Sequence, residues 1–368
     1  MTTVLVAGAT GVIGDAVLAR FAAEPGVAVV AVSRRAPAAA DGRRIRHLAL
    51  DLTDAEACRT AAEGLEGVSH VVFAAVTEQP GLVAGWRDPQ QMQANLAMLS
   101  NLIDPLSEVA RLQHLTLLQG AKAYGGHAGR LSPIPARERA PRDAHENFYW
   151  LQEDHVRDRA AARGFAWTIF RPAVVIGAAW GAAMNPLLPL GAYAALRREE
   201  GRPFSYPGGV AQISEIVDAD LLAEAFLWAA QTKAAHGETF NITNGDAFSW
   251  RDAWPTLAEA FGVEAGLDEP TRLAPWLLER AALWDAVVAR EGLKPIGLTD
   301  FLGESHHYAD ILLRRDAEAI GRPTLLSTIK LRQAGFGACR DSEDSLRRWV
   351  RELQARRLLP GNSRSSTA

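Results

Sequence analysis

Three glycines near the start of the chain constrain its fold more than any other feature. Gly8, Gly11 and Gly14 follow an apolar run at residues 4–7 and precede an amphipathic segment that begins near Asp15. Glycine permits a tight turn at the first position, lets a pyrophosphate approach the backbone at the second, and allows close helix–strand packing at the third. A strand, a glycine turn and a helix in this order predict a dinucleotide-binding unit.

The phosphates are expected at the N-terminus of the helix after the turn, because its free N–H groups and the positive end of its dipole favour anions. Glycines also occur in ordinary loops, but here the flanking segments supply the strand and the helix that phosphate binding requires. The predicted phosphate-binding residues are Gly8, Thr10, Gly11, Val12, Ile13 and Gly14.

A second apolar run, at residues 27–32, ends in Ser33, Arg34 and Arg35. Enzymes that prefer NAD usually place an acidic residue here to hold the ribose 2′-hydroxyl, whereas two arginines suit the 2′-phosphate of NADP. A solvated surface pair is the alternative interpretation. After a glycine turn at this spacing, we expect these three residues to bind NADP(H).

Further strands are predicted at residues 47–50, 70–76, 115–118 and 165–170, and helices between them include 95–109 and 146–163. This alternation predicts an α/β fold with a Rossmann-type, doubly wound parallel sheet. Ligands of such sheets bind at the carboxyl ends of the strands. Asp51 would therefore meet the adenine edge or cap the helix that begins near Asp54, or do both. The residues expected at these strand ends are Asp51, Leu52, Ala74, Ala75, Val76 and Gln119.

Composition excludes several classes of function. The net charge of −4 gives no reason to expect nucleic acid or an anionic membrane as a partner. No apolar run reaches about 18 residues, so we expect no membrane-spanning helix. The first predicted strand begins directly after Thr3, which leaves no room for a secretory signal. Cys58 and Cys339 fit no metal spacing, and we expect a reduced, cytoplasmic chain.

The second half has looser periodicity. We expect an NADP-binding domain at residues 1–177, with parts of 210–245 packing back onto it, and a smaller, mostly helical substrate-binding region at 178–360. Residues 361–368 are typical of a flexible tail. His306 and His307 are adjacent on a predicted helix and point in different directions, so no metal site is expected. A monomer and a homodimer both stay open. The further elements predicted here are helices at 185–198, from 215 onward and at 273–291, and a strand at 201–208.

The chain resembles the extended short-chain dehydrogenases/reductases in its glycine turn, its order of elements and its turn at 171–177. That superfamily usually carries Tyr-x-x-x-Lys on a helix and a hydroxyl at the end of the fifth strand. Here Glu153 follows Tyr149 by four residues, and the strand ends in Gly120 and Ala121. A carboxylate there would raise the pKa of the tyrosine, which argues against the usual epimerase or dehydratase chemistry. Glu153 and Asp154 are instead expected to be first-turn carboxylates that the helix dipole favours.

Two segments resemble the progesterone 5β-reductase and iridoid synthase family and its bacterial relatives. They are 122–126, with a Lys-x-Tyr-x-Gly pattern, and 147–154, with an Asn-Phe-Tyr-Trp-x-x-Glu-Asp pattern. The paired arginines and the segment 240–254 agree with the same family, so the resemblance covers nearly the whole chain. It implies Lys122 and Tyr149 as catalytic residues, with Tyr124 as the rival tyrosine.

The resemblance also implies a chemistry. A hydride from NADPH would reach the β-carbon of a small, apolar α,β-unsaturated carbonyl compound, and charge would move to the carbonyl oxygen. Tyr149 would bind that oxygen and contact the cofactor, and Lys122 would stabilise the charged tyrosine or the enolate. The structural alternative for Lys122 is a solvated loop lysine. The residues implied to line the nicotinamide pocket are Pro172, Ala173 and Val174.

Three other functions stay open on the sequence alone. The first is plain carbonyl reduction, which uses the same hydrogen-bond donor. The second is a sugar-nucleotide epimerase or dehydratase, and the third is a non-catalytic NADP(H) sensor.

Overall fold

The computed structural model describes residues 2–39, 44–130, 133–142 and 144–362. Within these residues the chain forms two compact units. The expected tail at 361–368 lies outside the described residues from 363 onward. No helix in the described part of the chain is long and apolar enough to cross a membrane. The units are Met1–Ala173, Ala219–Thr243 and Leu326–Ala338 for the first, and Val174–Asp218, Asn244–Leu325 and Cys339–Ala368 for the second.

The regular elements are numbered in chain order. The strands are β1 (Thr2–Ala7), β2 (Val27–Ser33), β3 (Ile45–Ala49), β4 (His70–Phe73), β5 (His114–Leu118), β6 (Ala166–Pro172), β7 (Val174–Ile176), β8 (Ile213–Ser214), β9 (Ile216–Asp218), β10 (Glu238–Ile242) and β11 (Phe248–Ser249). The helices are α1 (Val12–Ala22), α2 (Ala55–Ala62), α3 (Pro89–Val109), α4 (Phe148–Arg163), α5 (Leu187–Glu199), α6 (Ala219–Gln231), α7 (Trp254–Phe261), α8 (Leu273–Leu278), α9 (Ala281–Glu291), α10 (Leu298–Leu302), α11 (Ser305–Leu313), α12 (Ile329–Gln333) and α13 (Ser342–Ala355). Short 3-10 turns lie at Gly85–Arg87, Ala121–Tyr124, Gly126–Ala128 and Lys233–Ala235.

A seven-stranded parallel sheet forms the centre of the first unit. Its strand order is β10-β6-β5-β4-β1-β2-β3, with every neighbouring pair parallel. Leu5, Leu115 and Ile169 are fully buried in the core between the sheet and its helices. This architecture confirms the predicted Rossmann-type α/β fold, and it gathers the carboxyl ends of β1, β2, β4, β5 and β6 at one edge.

The second unit is mostly helical. A parallel pair joins β7 to β9, and an antiparallel pair joins β8 to β11. Helix α5 is buried along nearly its whole length, and Trp284 of α9 stacks on Phe301 of α10. The assignment of residues 178–360 to substrate binding stays a proposal.

The predicted strand at 201–208 is wrong. Only Phe204 forms an isolated bridge there, to Ala265. Pro203 and Pro207 interrupt the segment, and proline has no N–H to donate to a strand ladder.

Two predicted helices have different limits in the structure. The helix expected from 215 begins at Ala219, because the preceding residues form β9 and Asn244 accepts from the Asp218 N–H at 2.8 Å. The helix expected at 273–291 is divided into α8 and α9. Arg280, at the break, has non-helical backbone angles and donates to Glu200 at 2.8 Å.

Candidate active site

The glycine turn after β1 has the geometry of a phosphate cradle. Gly8 has a φ of +82°, and a Cβ at this position would lie 2.7 Å from the backbone of Ala74 and Ala75. A Cβ at Gly14 would collide with the Gly8 carbonyl. Helix α1 follows with Gly11 as its N-cap and without a side-chain capping bond. A tight cradle and an uncapped helix N-terminus fit a pyrophosphate, so the residues present suit a dinucleotide.

The end of β2 and the segment after β3 form the next part of this edge. The Ser33 hydroxyl donates to the Arg35 carbonyl at 2.7 Å, and the side chains of Arg34 and Arg35 are exposed. The Asp51 carboxylate accepts from the Thr53 N–H at 2.9 Å and from its hydroxyl at 2.8 Å. These two bonds hold the pKa of Asp51 below its usual value, and the charge of Arg34 adds to the effect.

Asp51 and the N-cap of α2 are different residues. Asp54 caps α2 by accepting from the Ala57 N–H at 3.0 Å, whereas Asp51 binds the turn at Thr53. Leu52 is buried, and its carbonyl accepts from the Asn101 amide at 3.0 Å. The interpretation of Asp51 as the helix cap is therefore wrong, and the adenine-edge interpretation stays a proposal.

The predicted nicotinamide-side residues follow β4, β5 and β6. Ala74 donates to the Ala7 carbonyl at 3.0 Å, and Ala75 and Val76 continue towards the surface. The Ala173 N–H donates to the Ile242 carbonyl at 3.1 Å, which places Pro172 and Ala173 at the end of β6. Val174 belongs to β7 of the second unit.

The side chain of Gln119 is held within the protein. Its amide nitrogen donates to Glu153 at 2.8 Å, and its amide oxygen accepts from Arg171 at 2.7 Å. Gln119 is 5% exposed. Any contact with the cofactor would therefore come from its backbone, since both ends of its amide are already bound.

Tyr149 lies against the end of β5. A Cβ at Gly120 would be 3.1 Å from the Tyr149 hydroxyl, so the absence of a side chain at Gly120 leaves room for this phenol. Asn147 caps α4 by accepting from the Tyr149 N–H at 3.1 Å, and its amide donates to the Lys122 carbonyl at 3.3 Å. One asparagine thus joins the two segments that the sequence singled out.

The Lys122 ammonium is not solvated. It lies 3.2 Å from the Glu78 carboxylate and 4.4 Å from the centre of the Trp86 ring. Burial lowers the pKa of Lys122, and the charge and hydrogen bond of Glu78 oppose that shift. The structural alternative of a solvated loop lysine is therefore wrong. The Lys122 ammonium contacts Glu78 and Trp86, and the Tyr149 hydroxyl lies beside Gly120.

Tyr124, the rival tyrosine, belongs to a separate buried network. Its hydroxyl donates to the Asn241 side chain at 2.6 Å, and the Arg171 guanidinium lies 5.3 Å from its ring. The Asn241 amide donates in turn to the carbonyls of Ala136 and Ser327. Burial raises the pKa of Tyr124. The Tyr124 hydroxyl therefore helps to hold Asn241 in place between Ala136 and Ser327.

The expectation of Glu153 and Asp154 as first-turn carboxylates is wrong. Both lie beyond the first turn of α4, which contains no acidic residue. Glu153 is 2% exposed and pairs with Arg157 at 2.7 Å and with Arg142 at 3.0 Å. Burial alone would raise the pKa of Glu153, but hydrogen bonds from Gln119 and Arg142 outweigh it and lower the pKa. Ion pairing, rather than the helix dipole, stabilises this carboxylate.

A cavity of about 190 Å³ lies beside this network. Five of its eleven lining residues are charged, and neither Tyr149 nor Lys122 is among them. Because neither proposed catalytic side chain lines it, this cavity is not the predicted substrate site. The lining residues are Ala123, Tyr124, Glu138, Ala140, Pro141, Arg142, Trp150, Glu153, Arg157, Arg171 and Thr239.

Sequence reasoning missed Glu78. It lies 44 residues before Lys122 in a loop, and no local pattern signals that the two side chains meet.

Among the described residues, His306 and His307 included, no group of three or more His, Cys, Asp or Glu side chains is arranged to hold a metal.

Comparison with known proteins identifies a family model that matches this chain and relatives that align with nearly all of it. A family model described as the NAD dependent epimerase/dehydratase family matches residues 4–243. The (S)-8-oxocitronellyl enol synthase of Antirrhinum majus is 29% identical over 375 residues, covering 97% of this chain and 92% of the relative. The corresponding synthase of Camptotheca acuminata is 30% identical over 375 residues, covering 97% and 93%. The UDP-glucose 4-epimerase of Thermotoga maritima superposes with a TM-score of 0.68 at 17% identity, over 97% of this chain and 100% of that one, which is a likeness of fold alone.

Proposed function

This chain belongs to the NAD dependent epimerase/dehydratase family, and we propose that it is an NADPH-dependent reductase of α,β-unsaturated carbonyl compounds. The relatives confirm the family resemblance that the two motif segments indicate. The observation that carries the proposal is the position of the Tyr149 hydroxyl over Gly120, on a helix joined to the Lys122 loop by Asn147. This arrangement replaces the Tyr-x-x-x-Lys pair that the chain lacks.

The protein is an NAD(P)-dependent oxidoreductase, and the bound nicotinamide supplies the hydride. The glycine turn would hold the pyrophosphate, and the exposed guanidinium groups of Arg34 and Arg35 suit a 2′-phosphate. Bonds from Thr53 fix the Asp51 carboxylate, and the charge of Arg34 acts on it. The proposed cofactor residues are Gly8, Thr10, Gly11, Val12, Ile13, Gly14, Ser33, Arg34, Arg35, Asp51, Leu52, Ala74, Ala75, Val76, Gln119, Tyr149, Pro172, Ala173 and Val174.

The chemistry requires a donor at the substrate carbonyl. As hydride adds to the β-carbon, the C=C electron pair shifts and negative charge gathers on the carbonyl oxygen. Tyr149 donates a hydrogen bond to that oxygen, and the charged Lys122 stabilises the developing enolate. A proton from solvent then completes the saturated product. The relatives are named as enol synthases, which agrees with an enolate as the species that the site stabilises.

Epimerase or dehydratase chemistry has less support. The residue four positions after Tyr149 is Glu153, whose carboxylate is bound by Gln119 and three arginines. No lysine is therefore available on that face of α4 to lower the pKa of Tyr149. A cytosolic location and a homodimer stay proposals, and the free thiols of Cys58 and Cys339 agree with the former.

The test is NADPH oxidation with cyclohexenone as substrate, followed by product analysis. We expect saturated ketone from the wild-type protein and a large loss of turnover in Lys122→Ala. Lys233→Ala is the matched control, because Lys233 is an exposed lysine of the same unit. NADPH binding without reduction of any enone or carbonyl compound would favour the non-catalytic sensor.

A further inference from the structure

The Lys122 ammonium has one anionic partner among the described residues. Glu78 lies in the loop between β4 and α3, and its Oε1 atom is 3.2 Å from Nζ of Lys122. The Glu78 side chain is 2% exposed and the Lys122 side chain is 15% exposed. An ion pair with so little access to water is screened weakly, so its partners sense each other's charge strongly.

The Glu78 carboxylate is itself held in place. Its second oxygen accepts from the Gln91 amide nitrogen at 2.8 Å, and the Gln91 amide oxygen accepts from the Gln79 N–H at 2.7 Å. A Cβ at Gly85 would collide with this amide, so a side chain there would displace Gln91 from its present position. The carboxylate is thus fixed before any substrate arrives.

Helix α3 also fixes the loop that carries Glu78. Asn95, one helical turn after Gln91, accepts from the Thr77 N–H at 3.0 Å and donates to the Thr77 carbonyl at 2.9 Å. Gln152 of α4 donates to the Asn95 carbonyl at 2.8 Å. The same helix α4 carries Tyr149, so one set of amide bonds links Glu78 to the helix of the proposed catalytic tyrosine.

The other groups around Lys122 cannot replace the charge of Glu78. The Trp86 ring lies under the ammonium, and its face attracts a cation weakly. His127, Arg87 and His145 are the other titratable groups of this region. Burial, and then the charge of Lys122, lowers the pKa of His127 to about 4, so His127 is neutral at physiological pH.

We propose that Glu78 is a positioning residue of the reductase site, whose carboxylate keeps the Lys122 ammonium in place and protonated. The catalytic task of Lys122 rests on the proposed function, whereas the pairing does not. Without the carboxylate, a buried ammonium beside Trp86 and His127 would lose its proton more readily. The site would then lose the positive charge that faces the developing enolate.

The chain offers a clean experiment because it has only four lysines, Lys122, Lys233, Lys294 and Lys330. The pH dependence of acetylation by acetic anhydride is measured at each lysine by peptide mass spectrometry, in the full chain. Glu78→Gln keeps the shape and the bond from Gln91 but removes the charge. Glu238→Gln is the matched control, because Glu238 pairs with Lys330 at 2.6 Å in a half-exposed position.

We expect the labelling midpoint of Lys122 to fall by about one pH unit or more in Glu78→Gln, with no change in Glu238→Gln. The basic limb of the kcat profile with cyclohexenone should move to lower pH by the same amount. An unchanged Lys122 midpoint in a folded Glu78→Gln variant would overturn the proposal. Since labelling needs no turnover, a shifted midpoint in a protein that reduces no enone would refute the proposed function and leave the pairing intact.

Glu78→Asp guards against a variant that does not fold. It retains the charge with a shorter side chain, so we expect its Lys122 midpoint to stay within about half a pH unit of the wild type. A fall of one unit or more in Glu78→Asp would contradict the proposal, because the charge would then not be what holds the proton. The labelling midpoint of Lys330, which pairs with Glu238 and donates to the Thr239 carbonyl in the folded chain, reports whether each variant keeps the native fold.

Discussion

At the residue scale, the end of β5 has glycine at position 120, and the Tyr149 hydroxyl lies beside it. The sequence lacks a hydroxyl at the end of β5, and the structure gives a physical reason for glycine there. A side chain at Gly120 would begin 3.1 Å from the Tyr149 hydroxyl and crowd it. The space beside this strand end is therefore occupied by the phenol itself.

Tyr149→Phe should lower kcat for enone reduction by about 100-fold to 1,000-fold, because it removes one donor to a developing oxyanion. NADPH affinity should change little. The comparison is Tyr124→Phe, whose lost hydroxyl donates to Asn241 and not to substrate. Its melting temperature should fall while its kcat stays near wild type. A loss of kcat in Tyr124→Phe with activity intact in Tyr149→Phe would reverse the assignment.

Replacement of both Arg34 and Arg35 by alanine should raise KM for NADPH by about 10-fold to 100-fold, since charge-assisted bonds to a phosphate would be lost. KM for NADH should stay nearly constant. Arg46→Ala is a suitable control, because Arg46 is an exposed arginine on the adjacent strand. Equal effects on the two cofactors would show that the arginines do not read the 2′-phosphate.

The residues that sequence reasoning identified are those with a local signal. Lys122 and Tyr149 lie in motif segments, and the glycines of the turn obey a fixed spacing. Glu78 and Glu153 differ, because tertiary packing brings Lys122 to Glu78, and Gln119 and Arg171 to Glu153, from distant parts of the chain. Of the partners of Glu153, Arg157 alone follows from helix spacing.

At the element scale, the turn between β1 and α1 makes the strongest demand on residue type. Gly8→Ala should cost about 1–3 kcal/mol of stability, because alanine disfavours a φ of +82°. The clash with the Ala74 backbone should also weaken NADPH binding. Gly67→Ala is the control, since nothing lies within 4 Å of a Cβ there. Thermal melting and dinucleotide titration would test both variants, and normal NADPH binding by Gly8→Ala would contradict the cradle.

The elements predicted well are those that obey a simple period. Strands β1, β2 and β4 read as nearly continuous apolar runs, and β5 and β6 as apolar runs interrupted by Thr116 and Thr168, because helices cover the sheet. The errors lie in the second half, where prolines at 203 and 207 interrupt a predicted strand and Arg280 divides a predicted helix. The helical periodicity of residues 273–291 continues across the break between α8 and α9, which the ion pair of Arg280 with Glu200 stabilises.

At the scale of the whole molecule, three histidines lie at the amino-terminal edge of the sheet, opposite the proposed site. The rings of His114 and His236 are 5.3 Å apart, and those of His70 and His114 are 6.4 Å apart. His114 shares a hydrogen bond of 2.9 Å with Thr168. Burial lowers the pKa of His114 to about 3, and it lowers that of His70 as well. The folded protein therefore keeps the rings of His114 and His70 neutral at physiological pH.

The free energy of unfolding should fall as the pH drops below about 6.5. In this range His114 and His70 bind protons in the unfolded chain, whereas burial keeps them neutral in the folded one. Each such histidine contributes a slope of at most about 1.4 kcal/mol per pH unit. Urea unfolding between about pH 7 and about pH 5 would measure it. His114→Gln should flatten the slope, and an equal slope in this variant would contradict the account.

The central claim is that hydride reaches the β-carbon of an enone, and transfer from NADPH that carries deuterium at the reactive nicotinamide carbon tests it most directly. With cyclohexenone as substrate, the product would be isolated and the position of deuterium determined by NMR. The account predicts saturated ketone with deuterium on the β-carbon, formed about 100-fold or more slowly by Tyr149→Phe than by the wild type. Allylic alcohol with deuterium on the carbonyl carbon, or no transfer to any enone, would contradict it.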